Sequence, residues 1–148
     1  MLAQPVTPLT PSRLLTALGV LAPEVHSSPQ GNHLIEIDGE LVRIEHRPDR
    51  PFALTASTRW RRRLPVDHSS AVREFADESN RDLPPTRTSI SVTDSGHLEV
   101  QVSLTHLVIG GVSDNQLAGW IGRGTNALLT QLGRLDRRFP EPAPLEDT

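Results

Sequence analysis

The chain has 148 residues, no cysteine and a formal net charge of −3. That is the size of one domain burying roughly two-thirds of its unfolded surface. It excludes a disulfide framework, a thiolate metal site and a cysteine nucleophile, and it gives no global field to attract nucleic acid or an anionic membrane. Trp60, Trp120, Phe52, Phe75 and Phe139 are all the aromatic residues, few for a platform that stacks single-stranded bases. The first residues lack the basic and apolar regions of a signal peptide, and no apolar run is long enough to span a bilayer. The expected setting is the cytoplasm.

Residues 1–9, with Pro5 and Pro8, form an extended lead-in, and residues 10–140 form the domain. Thr10 and Pro11 are an N-cap and first helical residue, and Leu14, Leu15, Leu18 and Leu21 recur at helical spacing until Pro23 ends the element. A hairpin follows, with Ile35 and Ile37 alternating with polar residues, as do Val42 and Ile44. Two turns are available. Gly39-Glu40 as a type II′ turn pairs Ile35 with Ile44 and Glu36 with Arg43, whereas Asp38-Gly39 sets Ile37 against Glu40. The charge pairing favours the first.

A third strand places Phe52, Leu54, Ala56, Thr58 and Trp60 on one face and Arg59, Arg61 and Arg63 on the other, and Leu64-Pro65 stops it. Asp67 can cap a second helix carrying Val72, Phe75 and Ala76 inward, closed before Pro84-Pro85. The turn Asp94-Ser95-Gly96 sets Val92 opposite Leu98 and Ile90 opposite Val100. Gly110-Gly111 ends that hairpin, and Ser113 caps a long final helix with the stripe Leu117, Ile121, Gly124, Leu128, Leu132, Leu135 and Phe139. Residues 141–148 are an acidic, proline-rich tail expected to be disordered. The order α-β-β-β-α-β-β-α predicts an α+β domain: a largely antiparallel five-stranded sheet with helices on one face.

Several joints carry a resemblance. Arg59-Trp60-Arg61 precedes Leu64-Pro65, and Asn80-Arg81 closes the central helix. Gly96 sits in a hairpin turn, Gly111-Val112-Ser113-Asp114 with Gln116-Leu117 opens the last helix, and Phe139-Pro140 closes it. From about Ile35 to Pro140 the chain resembles the YbjN-domain family, bacterial proteins named as sensory-transduction regulators. The family commonly has an aromatic residue where this chain has Ser79, so a groove built on that aromatic would differ here. The resemblance implies a fold like the type III secretion chaperones, usually homodimeric, with no catalytic residue.

Chemistry finds no footing in the residues themselves. Of the six histidines, none makes a metal-binding spacing on one element; the preferred hairpin register only sets His33 opposite His46, near the end of a sheet face. Gly122 to Ala127, GRGTNA, has the letters of a dinucleotide loop but falls inside a helix whose N–H groups are already used. Gly119, Gly122 and Gly124 read instead as places where another backbone comes close, in the sheet or in a second subunit. Ser113 lacks a nucleophile elbow and reads as a cap. No cofactor or metal is implied, and the expectation is that the chain is not an enzyme.

What remains is surface. Arg59, Arg61, Arg62 and Arg63 form the densest charge, either guarding a sheet edge or meeting a partner, with Trp60 in the core. The expected function is a non-enzymatic adaptor or regulator that binds another protein. Arg59, Arg61, Arg62 and Arg63 would steer an acidic partner, and Trp120, Gly122 and Gly124 on the final helix would offer a contact surface. The alternative is a nucleic-acid-binding regulator with the same arginines on phosphates.

Overall fold

A computed structural model describes residues 5–82 and 86–140. The order is α1 (Pro11–Leu21), β1 (His26–Ser27), β2 (Asn32–Ile37), β3 (Glu40–Glu45), β4 (Ala53–Arg59), β5 (Leu64–Pro65), a 3-10 turn (Val66–His68), α2 (Ser69–Asp82), β6 (Arg87–Val92), β7 (His97–Leu107) and α3 (Asp114–Arg138). The five expected strands are present. Two more, of two residues each, extend the sheet at β1 and β5. Pro84-Pro85 and the tail from residue 141 lie outside the described residues.

Every strand pairing is antiparallel, in the order β1-β2-β3-β4-β7, with β6 on the far side of β7 and β5 continuing the line of β4. The connection through α2 therefore joins two strands that are not neighbours, and β7 fills the gap between them. The pairings Val92–Leu98 and Ile90–Val100 are as expected, with Gly96 at φ 80 supplying the left-handed residue of the turn.

The first hairpin corrects the expectation. Ile35 faces Val42 and Ile37 faces Glu40, with the turn at Asp38-Gly39. Both turn residues have positive φ, 52 for Asp38 and 81 for Gly39. This is the type I′ pattern, whose twist matches the flanking strands and which aspartate tolerates in its first position. Glu40 gains its own partner, since Arg61 reaches its carboxylate at 2.7 Å. The displacement is two residues along one strand, so each side chain keeps its predicted face.

Leu54, Ala56 and Trp60 join Ile35, Val42, Ile44, Leu98, Val100, Val102 and Leu104 on the inner face of the sheet. Leu14 and Leu18 of α1, Val72 and Phe75 of α2, and Leu117 to Leu135 of α3 complete a single core against it. Phe52 departs from the expectation: it precedes the strand and is exposed. Caps act where predicted. Thr10 accepts from the Arg13 N–H, and Ser113 with Gln116 forms a complete capping box. Asp67 instead lies within the 3-10 turn ahead of α2. Thr7 pairs with Val112, and Arg13 bonds the Thr7, Pro8 and Val112 carbonyls and Asp114, which fastens the lead-in to the start of α3.

Candidate functional site

The basic segment is a bulge. Arg59 pairs with Gln101, the Trp60 N–H bonds the Val100 carbonyl at 2.9 Å, and pairing resumes with Leu64 against Leu98. Arg61, Arg62 and Arg63 thus loop out opposite the single residue Glu99, the local bend a bulge produces. Two arginines from either side close on that carboxylate, Arg63 at 2.7 Å and Arg59 at 3.7 Å. Glu99 and Glu40 are only 20% and 18% exposed, whereas Arg59, Arg61 and Arg63 are 61%, 65% and 53% exposed. The acids lie beneath and the guanidinium groups face solvent, so the segment presents positive charge although each arginine is paired.

Arg62 corrects the expected row of exposed arginines. It turns back over the Trp60 ring, 4.8 Å from its centroid, and donates to the Phe139 carbonyl. Trp60 is buried as predicted, donates through Nε1 to Asp136 at 2.8 Å, and meets Phe139, which meets Phe75 edge-on. Arg62 therefore clamps the end of α3 to the sheet by a cation–π contact and a charged hydrogen bond.

The helix candidates do not share a surface. Trp120 is half-buried and stacks on His106, with centroids 5.4 Å apart. Gly124 is buried with Leu104 close by, so one close approach is real, to a side chain rather than to a backbone. Gly122 meets open space, and Gly119 lies under the Arg123 side chain. Trp120 is also sixteen residues along α3 from Asp136 at the basic end, or about 24 Å of helix. The structure thus separates the arginine group from the helix group.

His33 and His46 lie on the same inner face but are not opposite one another, since His33 faces Ile44. They are buried, not at the solvent edge as expected. His33 Nδ1 bonds the Ser27 hydroxyl at 2.7 Å, and His46 Nε2 lies 2.9 Å from the Pro51 carbonyl. A carbonyl only accepts, so His46 carries its proton on Nε2. Burial, and then the nearby His46, pull the pKa of His33 below the usual 6.5. Among the described residues no group of three or more histidines and carboxylates is arranged to hold a metal. GRGTNA lies inside α3, and the Ser113 hydroxyl is engaged in the cap.

Asn80 has a role the sequence did not disclose. Its amide accepts from the Thr88 N–H at 2.7 Å and donates to the Thr88 carbonyl at 3.1 Å, completing the outer edge of β6 as another strand would. Gln131, buried in α3, bonds the Thr88 hydroxyl at 3.0 Å. Ser79 is buried too, so the position expected to bear an aromatic faces the interior and not a surface groove.

The outer face of the sheet is uncovered by any described element and mixes polar and charged side chains with Leu34, Leu41 and Leu107. A cleft of about 480 Å³ lies over part of it, bordered by Arg43, Arg59, Arg61, Ser57 and Gln101 together with Glu40, Glu45 and the apolar Leu34 and Leu41. Arg43 was missed because it was read only as a hairpin charge; its alternation with Val42 and Ile44 was the available signal.

No protein-family model and no curated protein matches the chain. Among solved structures, it is similar to YbjN of E. coli, described as a proposed transcription regulator. The TM-score is 0.73 over 90% of this chain and 96% of that one, at 10% identity. An uncharacterised protein of Methanothermobacter thermautotrophicus matches with a TM-score of 0.53 over 86% of this chain and 95% of that one, at 11% identity. The fold is YbjN-like, as the residues at its joints implied. Among the described residues no helix is long and apolar enough to cross a membrane.

Proposed function

We propose that this chain is a non-enzymatic adaptor or regulator that engages another protein, acting in the cytoplasm as a homodimer. The observation that carries the reading is the asymmetry of the sheet. All three helices contribute to the core on one face, while the other stays open and carries outward-facing arginines beside a few leucines. Such charge speeds encounter and selects an acidic partner more than it adds affinity. The likeness to a proposed regulator supports the same class. Arg62 belongs to the packing against Trp60, so steering falls to Arg59, Arg61 and Arg63. The homodimer is the part drawn from the secretion-chaperone likeness, with the solvent-facing side of α3 near Trp120 and Gly122 as its candidate contact.

The alternative, phosphate contacts in a nucleic-acid-binding regulator, is favoured by the arginine exposure and opposed by the net charge of −3 and by the polar residues of the open face, which offer no ring for bases. The test is a nuclease-treated pull-down of the tagged chain from lysate, quantified by mass spectrometry, beside an Arg61→Glu/Arg63→Glu variant. The adaptor reading expects a near-stoichiometric protein lost from the variant. Recovery of nucleic acid alone, and only when nuclease is omitted, overturns it.

A further inference from the structure

The antiparallel register aligns four residues in one row across the open face: Arg43 faces Ser57, Ser57 faces Ser103, and Ser103 faces Arg87. They come from four strands and from positions up to sixty residues apart, so no local motif announces them. In the next row Arg59 faces Gln101. The result is a floor of small hydroxyl and amide groups with an arginine at each end and a third beside it.

The charges of this row are unspent. Arg43 and Arg87 are exposed, and neither side chain has an ion pair or hydrogen bond among the described residues. Arg59 holds only the distant share of a carboxylate that Arg63 already takes at 2.7 Å. The carboxylates that border the face, Glu36, Glu40, Glu45 and Glu99, lie outside the Arg43–Arg87 row.

We propose that this row binds an extended acidic polypeptide segment laid across the strands, with carboxylates at positions i and i+4 on Arg43 and Arg87. The dimensions agree. Three strand spacings are about 14 Å, and four residues of extended chain are about 13 Å. In an extended segment the residues i, i+2 and i+4 point the same way. The middle one therefore faces Ser57 and Ser103, within reach of Arg59. Arginine suits this role because its planar fork grips a carboxylate through two parallel hydrogen bonds. Serine hydroxyls and the Gln101 amide can both donate to and accept from a peptide backbone. The two rows hold no aromatic ring, which disfavours a stacked single strand of nucleic acid. The proposal rests on the protein-binding reading above and gives it a chemical class of partner.

The experiment is fluorescence anisotropy on the full chain at low ionic strength with a labelled peptide, Gly-Ser-Glu-Ser-Glu-Ser-Glu-Ser-Gly, and its all-glutamine counterpart. Two variants remove equal charge: Arg43→Ala/Arg87→Ala and Arg61→Ala/Arg63→Ala. Thermal melts establish that both remain folded, as exposed side chains should allow. The expected result is binding of the glutamate peptide only, weakened at least ~10-fold by the first variant and clearly less by the second. Equal weakening by the two variants would mean that net charge alone is at work, and would overturn the proposal. So would absence of peptide binding, or tighter binding of a thymidine decamer with the same dependence on Arg43 and Arg87. A partner captured from lysate whose binding ignores Arg43→Ala/Arg87→Ala would leave the adaptor reading intact and remove this one.

Discussion

Asn80 shows how much one side chain can do without announcing it. Its amide supplies both a donor and an acceptor to the backbone of Thr88, and no other residue type of that size offers both in one plane. Asn80→Ala should leave two backbone groups at the edge of β6 without their partner, at a cost of about 2 kcal/mol. Asn80→Asp should not rescue it, because a carboxylate accepts from the Thr88 N–H but repels the Thr88 carbonyl. Equilibrium urea denaturation reads both; an aspartate variant as stable as the parent would refute the paired-bond account. Arg62 teaches the same lesson in reverse. Its neighbours in sequence suggested a charge for solvent, yet it lies over Trp60 and bonds the Phe139 carbonyl. Sequence alternation assigns a face only while the strand is regular, and the bulge ends that regularity at Trp60.

At the scale of elements, the first hairpin separates what was legible from what was not. The inner faces of β2 and β3 followed from period-two alternation alone. The register did not, because a plausible cross-strand pair, Glu36 with Arg43, competed with turn geometry, and turn geometry prevailed. Gly39 carries that geometry at φ 81, so Gly39→Ala forces a side chain into the left-handed region at a cost of about 1–2 kcal/mol. Nothing crowds the site, since a methyl group there meets open space, so the loss should be conformational strain only. Substituting asparagine, which tolerates positive φ, should recover most of it. If Gly39→Ala and Gly39→Asn melt at the same denaturant concentration, backbone strain is not what fixes this turn. Helix boundaries were easier to read than this register because a cap is written in adjacent residues, as Thr10 and Ser113 show.

Across the whole molecule, the order of elements could be read because each amphipathic run is closed by its own proline, glycine or cap. The candidate site could not. Arg43, Ser57, Ser103 and Arg87 meet only when four strands are in register, and one sequence carries no signal of long-range pairing. The same long-range assembly buries His33 beside His46 under the sheet, which gives stability a pH dependence whose sign is fixed. Burial first, and His46 second, lower the pKa of His33, so the folded chain takes up a proton on this imidazole less readily than the unfolded chain, which titrates near 6.5. Below that value the unfolded state binds the extra proton, and stability rises with pH wherever the unfolded state binds more protons. The contribution is therefore complete above about pH 7 and is lost as pH falls through and below 6.5. Thermal midpoints should drop between about pH 7 and pH 5, before carboxylate protonation contributes. His33→Asn removes the titrating ring while keeping a polar group near the Ser27 hydroxyl, and should flatten that segment of the profile at some cost in stability. An unchanged slope in His33→Asn would assign the acid sensitivity to another group and leave the buried histidine pair a packing feature only.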